Sequence, residues 1–182
     1  TGTGSEGAET LISSFGANTL IGLGGDDVYY VQNTGDGVIE APNGGFDWVT
    51  ASVNYTLPAA DTVEMLNMSG SGLTGTGSDG AETFISSGGP NTLIGLGGND
   101  TYYVNIPADV VIEAANGGYD TVAARVDYTL PTNVEALYMV GSGLTGRGTN
   151  NADSLLSSGG PNTLIGLGGD DVLGWVGLER RR

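Results

Sequence analysis

The string NTLIGLGG occurs three times, at 18–25, 91–98 and 162–169. Self-similarity on that scale restricts the chain to a stacked-repeat architecture more sharply than any other feature of it. Asp27 and Asp100 are 73 residues apart, and Asp100 and Asp171 are 71 apart. The two missing residues fall just after Tyr-Thr-Leu-Pro, where Ala59-Ala60-Asp61-Thr62 in the first copy becomes Thr132-Asn133 in the second. An indel behind a proline marks a surface turn. We therefore read residues 1–182 as one continuous solenoid, with repeat 1 at about 4–76, repeat 2 at about 77–147, a partial third repeat at about 148–172 and an atypical tail at 173–182.

Each period opens with a nine-residue beat. The first copy gives GSEGAETLI (4–12), SSFGANTLI (13–21) and GLGGDDVYY (22–30), and the same three ninths return from Gly77 and from Gly148. Small residues fill the first four positions, an acid or amide the sixth and an apolar residue the eighth. The glycines supply positive φ for a tight turn, and the x-apolar-x segment is a short strand with one inward side chain. No ninth can bury its apolar residue alone, so the units must stack. A looser form of the beat continues at Asp36-Gly37-Val38, Asp47-Trp48-Val49, Asp61-Thr62-Val63, Asp109-Val110-Val111 and Asp120-Thr121-Val122. The expected fold is all-β, a right-handed parallel β-solenoid of roughly ten rungs and on the order of 48 Å long.

The chain has 34 Gly, and its 21 Asp and Glu face only 5 Lys and Arg, for a net charge of -16. Cys and His are absent. That removes thiol and Ser-His-Asp chemistry and soft metal sites, and no catalytic role is expected. A surface this acidic repels phosphate backbones, so nucleic acid is excluded as a partner. No apolar run reaches the roughly 20 residues of a membrane span, so no membrane insertion is expected. A chain that opens at Thr1 without a signal-peptide pattern reads as a fragment or processed form.

GLGGDDVYY (22–30) and GLGGNDTYY (95–103) resemble the glycine- and aspartate-rich nonapeptide of RTX proteins, the calcium-binding parallel β-roll of secreted bacterial proteins. The longer unit, with YYV, VIEA, NGG-aromatic-Asp, YTLP and VE, resembles their large tandem repeats. The resemblance implies Ca²⁺ held between turns stacked on one edge, a hard cation served by six to eight oxygens. It pairs Glu9 with Asp27, Glu82 with Asp100 and Asp153 with Asp171. Carbonyls of Gly22, Gly24 and Gly25, of Gly95, Gly97 and Gly98, and of Gly166, Gly168 and Gly169 would complete the shells. Asp47 and Asp120 are secondary candidates. On the opposite edge Asn18, Asn91 and Asn162 replace the acid, which predicts a metal-free ladder of amides bonded to one another.

One Tyr of each pair Tyr29-Tyr30 and Tyr102-Tyr103 should point into the core and the other outward. Glu40, Glu64, Glu113 and Glu135 recur with the repeat, which argues against an acid/base dyad. The resemblance implies a calcium-binding module that folds on meeting Ca²⁺ after type I secretion, outside the cell or on its surface. A metal-independent filament or adhesin repeat is the alternative, and an accessory module of a carbohydrate-acting enzyme is the third. End-to-end stacking of solenoids into a homo-oligomer is the one protein partnership the pattern suggests.

Overall fold

In the computed structural model residues 1–59 and 62–176 are described; Asp61 of the recurring motif and the tail beyond Val176 lie outside them. All of their regular structure is β, in twenty short strands numbered β1 to β20 in chain order. Ten form one parallel sheet: β2 (Thr10–Ile12), β4 (Val28–Val31), β6 (Trp48–Ala51), β8 (Met65–Met68), β10 (Thr83–Ser86), β12 (Thr101–Val104), β14 (Thr121–Ala124), β16 (Ala136–Val140), β18 (Ser154–Ser158) and β20 (Val172–Trp175). The alternate strands form three shorter parallel sheets. One holds β1 (Gly2–Thr3), β3 (Thr19–Ile21) and β5 (Gly37–Ile39). The next holds β7 (Tyr55–Thr56), β9 (Thr74–Thr76), β11 (Thr92–Ile94) and β13 (Val110–Ile112), and the last β15 (Tyr128–Thr129), β17 (Thr145–Arg147) and β19 (Thr163–Ile165). Every pairing is parallel between alternate strands, which is a β-solenoid of about ten turns.

Successive rungs of the long sheet advance by 18, 20, 17 and 18 residues in the first period and by 18, 20, 15 and 18 in the second. The two-residue deletion is thus taken up in one turn, between β14 and β16, and the register on either side is untouched. That register keeps apolar side chains over apolar ones. Leu11, Tyr29, Val49, Leu66, Phe84, Tyr102, Val122, Leu137 and Leu155 stack as one buried column. Phe84 and Tyr102 lie ring on ring at 4.9 Å. Tyr29 and Tyr102 point inward while Tyr30 and Tyr103 are exposed, as the alternation of a strand requires.

The GLGG turns hold the rungs close together. Gly25, Gly98 and Gly169 have φ of +102°, +102° and +101°, and a Cβ on Gly98 would fall onto the carbonyl of Gly80 in the rung before it. Leu23, Leu96 and Leu167 also have positive φ, a conformation that strains any residue with a Cβ. The turn geometry therefore predicts a graded response to added methyl groups. Gly72, at φ +72° with open space around it, should lose about 1 kcal/mol on replacement by Ala. Gly98→Ala meets both the backbone conformation and its neighbour's carbonyl, and should lose on the order of 3 kcal/mol or more. Equal losses for the two in denaturant unfolding would contradict a close-stacked turn.

Candidate metal centre

An acid stands immediately before every strand of the long sheet: Glu9, Asp27, Asp47, Glu64, Glu82, Asp100, Asp120, Glu135, Asp153 and Asp171. Ten carboxylates therefore run down one edge of the solenoid, one per rung. Hydrogen bonds from rung to rung fix their orientation. Asp27 Oδ1 accepts the Glu9 N–H at 2.7 Å, Asp47 Oδ1 the Asp27 N–H at 2.8 Å and Glu64 Oε2 the Asp47 N–H at 2.7 Å. The second period repeats the arrangement, with Asp100 Oδ1 on the Glu82 N–H, Asp120 Oδ1 on the Asp100 N–H and Glu135 Oε2 on the Asp120 N–H. Asp171 Oδ1 accepts the Asp153 N–H in the third. One oxygen each of Asp27, Asp47, Asp100, Asp120 and Asp171 is spent on this ladder, and the other is left for something else.

Glu40 and Glu113 supply the further oxygens. Gly22 N–H bonds the carbonyl of Ile39, so Glu40 lies one rung beyond Gly22, at the place where the nonapeptide has its first glycine. From there its carboxylate turns inward and takes the hydroxyl hydrogen of buried Tyr29, and Glu113 does the same with Tyr102. The outcome is two buried triads, Asp27–Glu40–Asp47 and Asp100–Glu113–Asp120, in each of which one carboxylate oxygen per residue lies within 4.8 Å of the others. Among the described residues, Asp100 Oδ2 and Asp120 Oδ2 are buried with no hydrogen-bond partner. Gly22 and Gly95 leave room for the groups; a Cβ on either would run into the Tyr hydroxyl and two of the carboxylates.

Electrostatics bears out how unsupported these charges are. Burial drives the carboxyl of Asp100 up to about 8, with the charges of Glu82, Glu113 and Asp120 adding to it. Asp47 is pushed up to about 6 by burial and by Glu40, Glu64 and Asp27. Glu40, Glu113 and Asp120 are raised as well, in each case chiefly by desolvation. Buried acids with unpartnered oxygens and no cation nearby are a donor set suited to a hard divalent ion. Asp27, Glu40 and Asp47 would hold one such ion and Asp100, Glu113 and Asp120 another.

The residues singled out from the sequence divide into two groups. Asp27 and Asp100 sit in the triads together with Asp47 and Asp120, which the spacing ranked second. Glu9 and Glu82 are placed one rung before the triads and Asp153 two rungs beyond the second, and all three are turned back on their own turns. Their carboxylates accept from Ser5, Ser78 and Thr149, and among these Glu9 is lowered by the Ser5 hydrogen bonds. Asp171 keeps the ladder bond to Asp153. Of the turn glycines, Gly25 and Gly98 give their N–H groups to Gly44 and Gly117 in the next rung, while Gly24, Gly97 and Gly168 give theirs to Ser5, Ser78 and Thr149 in the rung before. Gly166 closes on Asp171, and Gly169 on Asn151. Sequence reasoning passed over Glu40 and Glu113 as metal ligands, although VIEA recurs unchanged in both periods.

The expected amide ladder on the other edge is not found. The 18-residue rung puts Asn18 over Asp36 and Asn91 over Asp109, so identical amides never meet. Their NH₂ groups bond carbonyls of their own turns and of neighbouring ones instead, from Asn18 to Ser14 and Gly16 and from Asn91 to Gly70 and Gly89. This edge is internally satisfied. Burial alone would raise Asp36, but the Ser13 hydroxyl and the N–H groups of Asn33, Asn18 and Gln32 outweigh it and bring the carboxyl down to about 2.

A family model for the RTX calcium-binding nonapeptide repeat matches four copies in this chain, over residues 3–36, 76–106 and 147–174. Among curated proteins, the endo-1,3-1,4-beta-glycanase ExsH of Rhizobium meliloti is 41% identical over 68 residues, which is 37% of this chain and 14% of the relative. The endo-1,3-1,4-beta-glycanase EglC of the same organism is 38% identical over 69 residues, 38% of this chain and 14% of that protein. The likeness thus spans about a seventh of either relative. No solved structure matches the chain.

The raised acids set the pH dependence of the metal-stripped protein. Glu40, Asp47, Asp100, Glu113 and Asp120 hold their protons more tightly folded than unfolded. Their contribution is complete below the ordinary carboxylate range and is lost as pH rises through about 6 for Asp47 and about 8 for Asp100. Asp36 works in the opposite sense, only below about pH 4, where falling pH removes its contribution. Thermal melts after exhaustive metal removal should therefore show Tm falling from pH 5 to pH 8. A Tm that climbs across that interval would contradict the burial of unpaired acids.

Proposed function

This chain belongs to the RTX calcium-binding nonapeptide repeat family, and on that premise we propose that it is a non-catalytic module whose acid edge takes up Ca²⁺ and whose folding is completed by that uptake. The observation that carries the reading is the pair of buried, unpartnered oxygens Asp100 Oδ2 and Asp120 Oδ2 beside the Glu113 carboxylate, in a pocket kept open by Gly95. Bound Ca²⁺ would supply positive charge where three carboxylates converge. The chain's own residues do the rest. The ladder N–H groups orient Asp100 and Asp120, Tyr102 orients Glu113, and Gly95 leaves the space.

The same geometry makes folding conditional. Removing water from three carboxylates disfavours the folded state, and a ligand that binds only that state restores it by RT ln(1+[L]/Kd), about 2.7 kcal/mol at a hundredfold excess over Kd. A chain of this kind stays loosely ordered where calcium is scarce and becomes a rod where it is plentiful. That suits export followed by folding outside the cell, the setting we infer for it. The relatives favour a second feature of the reading: since both carry the name of a glycanase, the module is proposed to accompany a carbohydrate-acting enzyme rather than to perform the chemistry.

Glu113→Gln separates calcium binding from stability, because the two should move in opposite directions. Loss of one charge should weaken calcium binding at the second triad by roughly tenfold to a hundredfold, and should raise the Tm of the metal-stripped protein by removing a repulsion. Glu82→Gln, whose carboxylate is engaged with Ser78 and acts on Asp100 only through its charge, should weaken the affinity much less than Glu113→Gln does. Calorimetric titrations in which both substitutions weaken calcium equally, or neither does, would sink the assignment to the triad.

A further inference from the structure

The sheets opposite the long one are interrupted between β13 and β15, and the break opens a cleft of about 650 Å³. Tyr128 and Val111 both line it, and the Val111 N–H bonds the Tyr128 hydroxyl. Asp127 and Arg147 line the cleft with Thr129, Pro107 and Pro131. Among the described residues Nη1 of Arg147 is buried without a hydrogen-bond partner, although two carboxylates, Asp109 and Asp127, line the same cleft. Asp109 is fully engaged, with the Asn91 N–H, the Ser86 hydroxyl and the Ile106 N–H. Asp127 is exposed and accepts the Thr145 N–H with one oxygen, and its other oxygen has no partner among the described residues.

The two periods are near copies, yet they part at this place. Counting by the repeat, the first period has Thr76 where the second has Arg147, Asn54 where it has Asp127 and Thr34 where it has Pro107. The charged pair therefore belongs to one copy and is no requirement of the solenoid.

We propose that the β13–β15 cleft binds a neutral, hydroxyl-rich carbohydrate, held between the Arg147 guanidinium and the Asp127 carboxylate. A guanidinium that only donates and a carboxylate that only accepts, set in one cleft, match neighbouring sugar hydroxyls, each of which can accept from one group and donate to the other. Pro107, Pro131 and the Tyr128 ring offer apolar surface to the C–H face of a pyranose. A free anion fits poorly, because it would meet Asp127 and a chain of net charge -16. The site is separate from the acid edge and does not depend on the calcium assignment, while the choice of glucan probes for it follows the glycanase likeness.

The test uses the whole chain at saturating calcium, with cellohexaose and laminarihexaose as neutral probes and hexagalacturonate as an acidic one, read by calorimetry. Arg147→Thr and Asp127→Asn install the residues that the first period already carries, so the variants are expected to fold. At least one neutral hexasaccharide should bind, each substitution should weaken it roughly tenfold or more, and the calcium titration and circular dichroism should not change. Absence of binding by both neutral sugars to the folded protein would overturn the proposal. So would binding indifferent to both substitutions, or a preference for hexagalacturonate.

Discussion

Parallel stacking at one strand spacing forces like residues to sit above one another, and here it forces ten acids into a single column. Neighbouring carboxylates such as Asp100 and Asp120 then lie on the order of 5 Å apart, and two full charges at that distance repel by about 3 kcal/mol at an effective dielectric of 20. The protein meets this repulsion in two ways. Backbone N–H groups from the adjoining rung bind one oxygen of Asp27, Asp47, Asp100, Asp120 and Asp171, which spreads part of the charge into the main chain. The other oxygens of Asp27, Asp47, Asp100 and Asp120 are gathered with Glu40 or Glu113 into closed triads, where a cation, or a proton in its place, would neutralise them.

The rest of the fold serves that column. The apolar stack from Leu11 to Leu155 holds the register, and a slip of one residue would turn the acids away and the core outward. The glycines of the turns set how near one rung comes to the next. The aromatic residues of the YY pairs have a double use, since Tyr29 and Tyr102 fill the core with their rings and orient Glu40 and Glu113 with their hydroxyls. The same groups therefore build both the core and the candidate site.

Much of this was legible in the sequence. The NTLIGLGG copies located the rungs and the YTLP-to-VE indel located the one turn that changes length, while Asp27 and Asp100 were candidates only through the RTX resemblance. Two things were not. Glu40 and Glu113 do not occupy the acid position of a ninth, and they join Asp27 and Asp100 only because the 18-residue rung superposes them on Gly22 and Gly95. The amide ladder was misjudged for a related reason. Asn18 and Asn91 recur with the long period, whereas contacts follow the short one, so each Asn meets an Asp of its own period. Periodicity shows which residues are alike; the rung length decides which ones touch.

The most direct test is a high-resolution crystal structure grown with calcium, examined for the ion itself. The account predicts density bounded by Asp100 Oδ2, Asp120 Oδ2 and the Glu113 carboxylate, with oxygen distances of about 2.3–2.6 Å, and the same at Asp27, Glu40 and Asp47. Calcium found only on the outer turn carbonyls, with the triads empty and their carboxyls bonded to one another through shared protons, would contradict it.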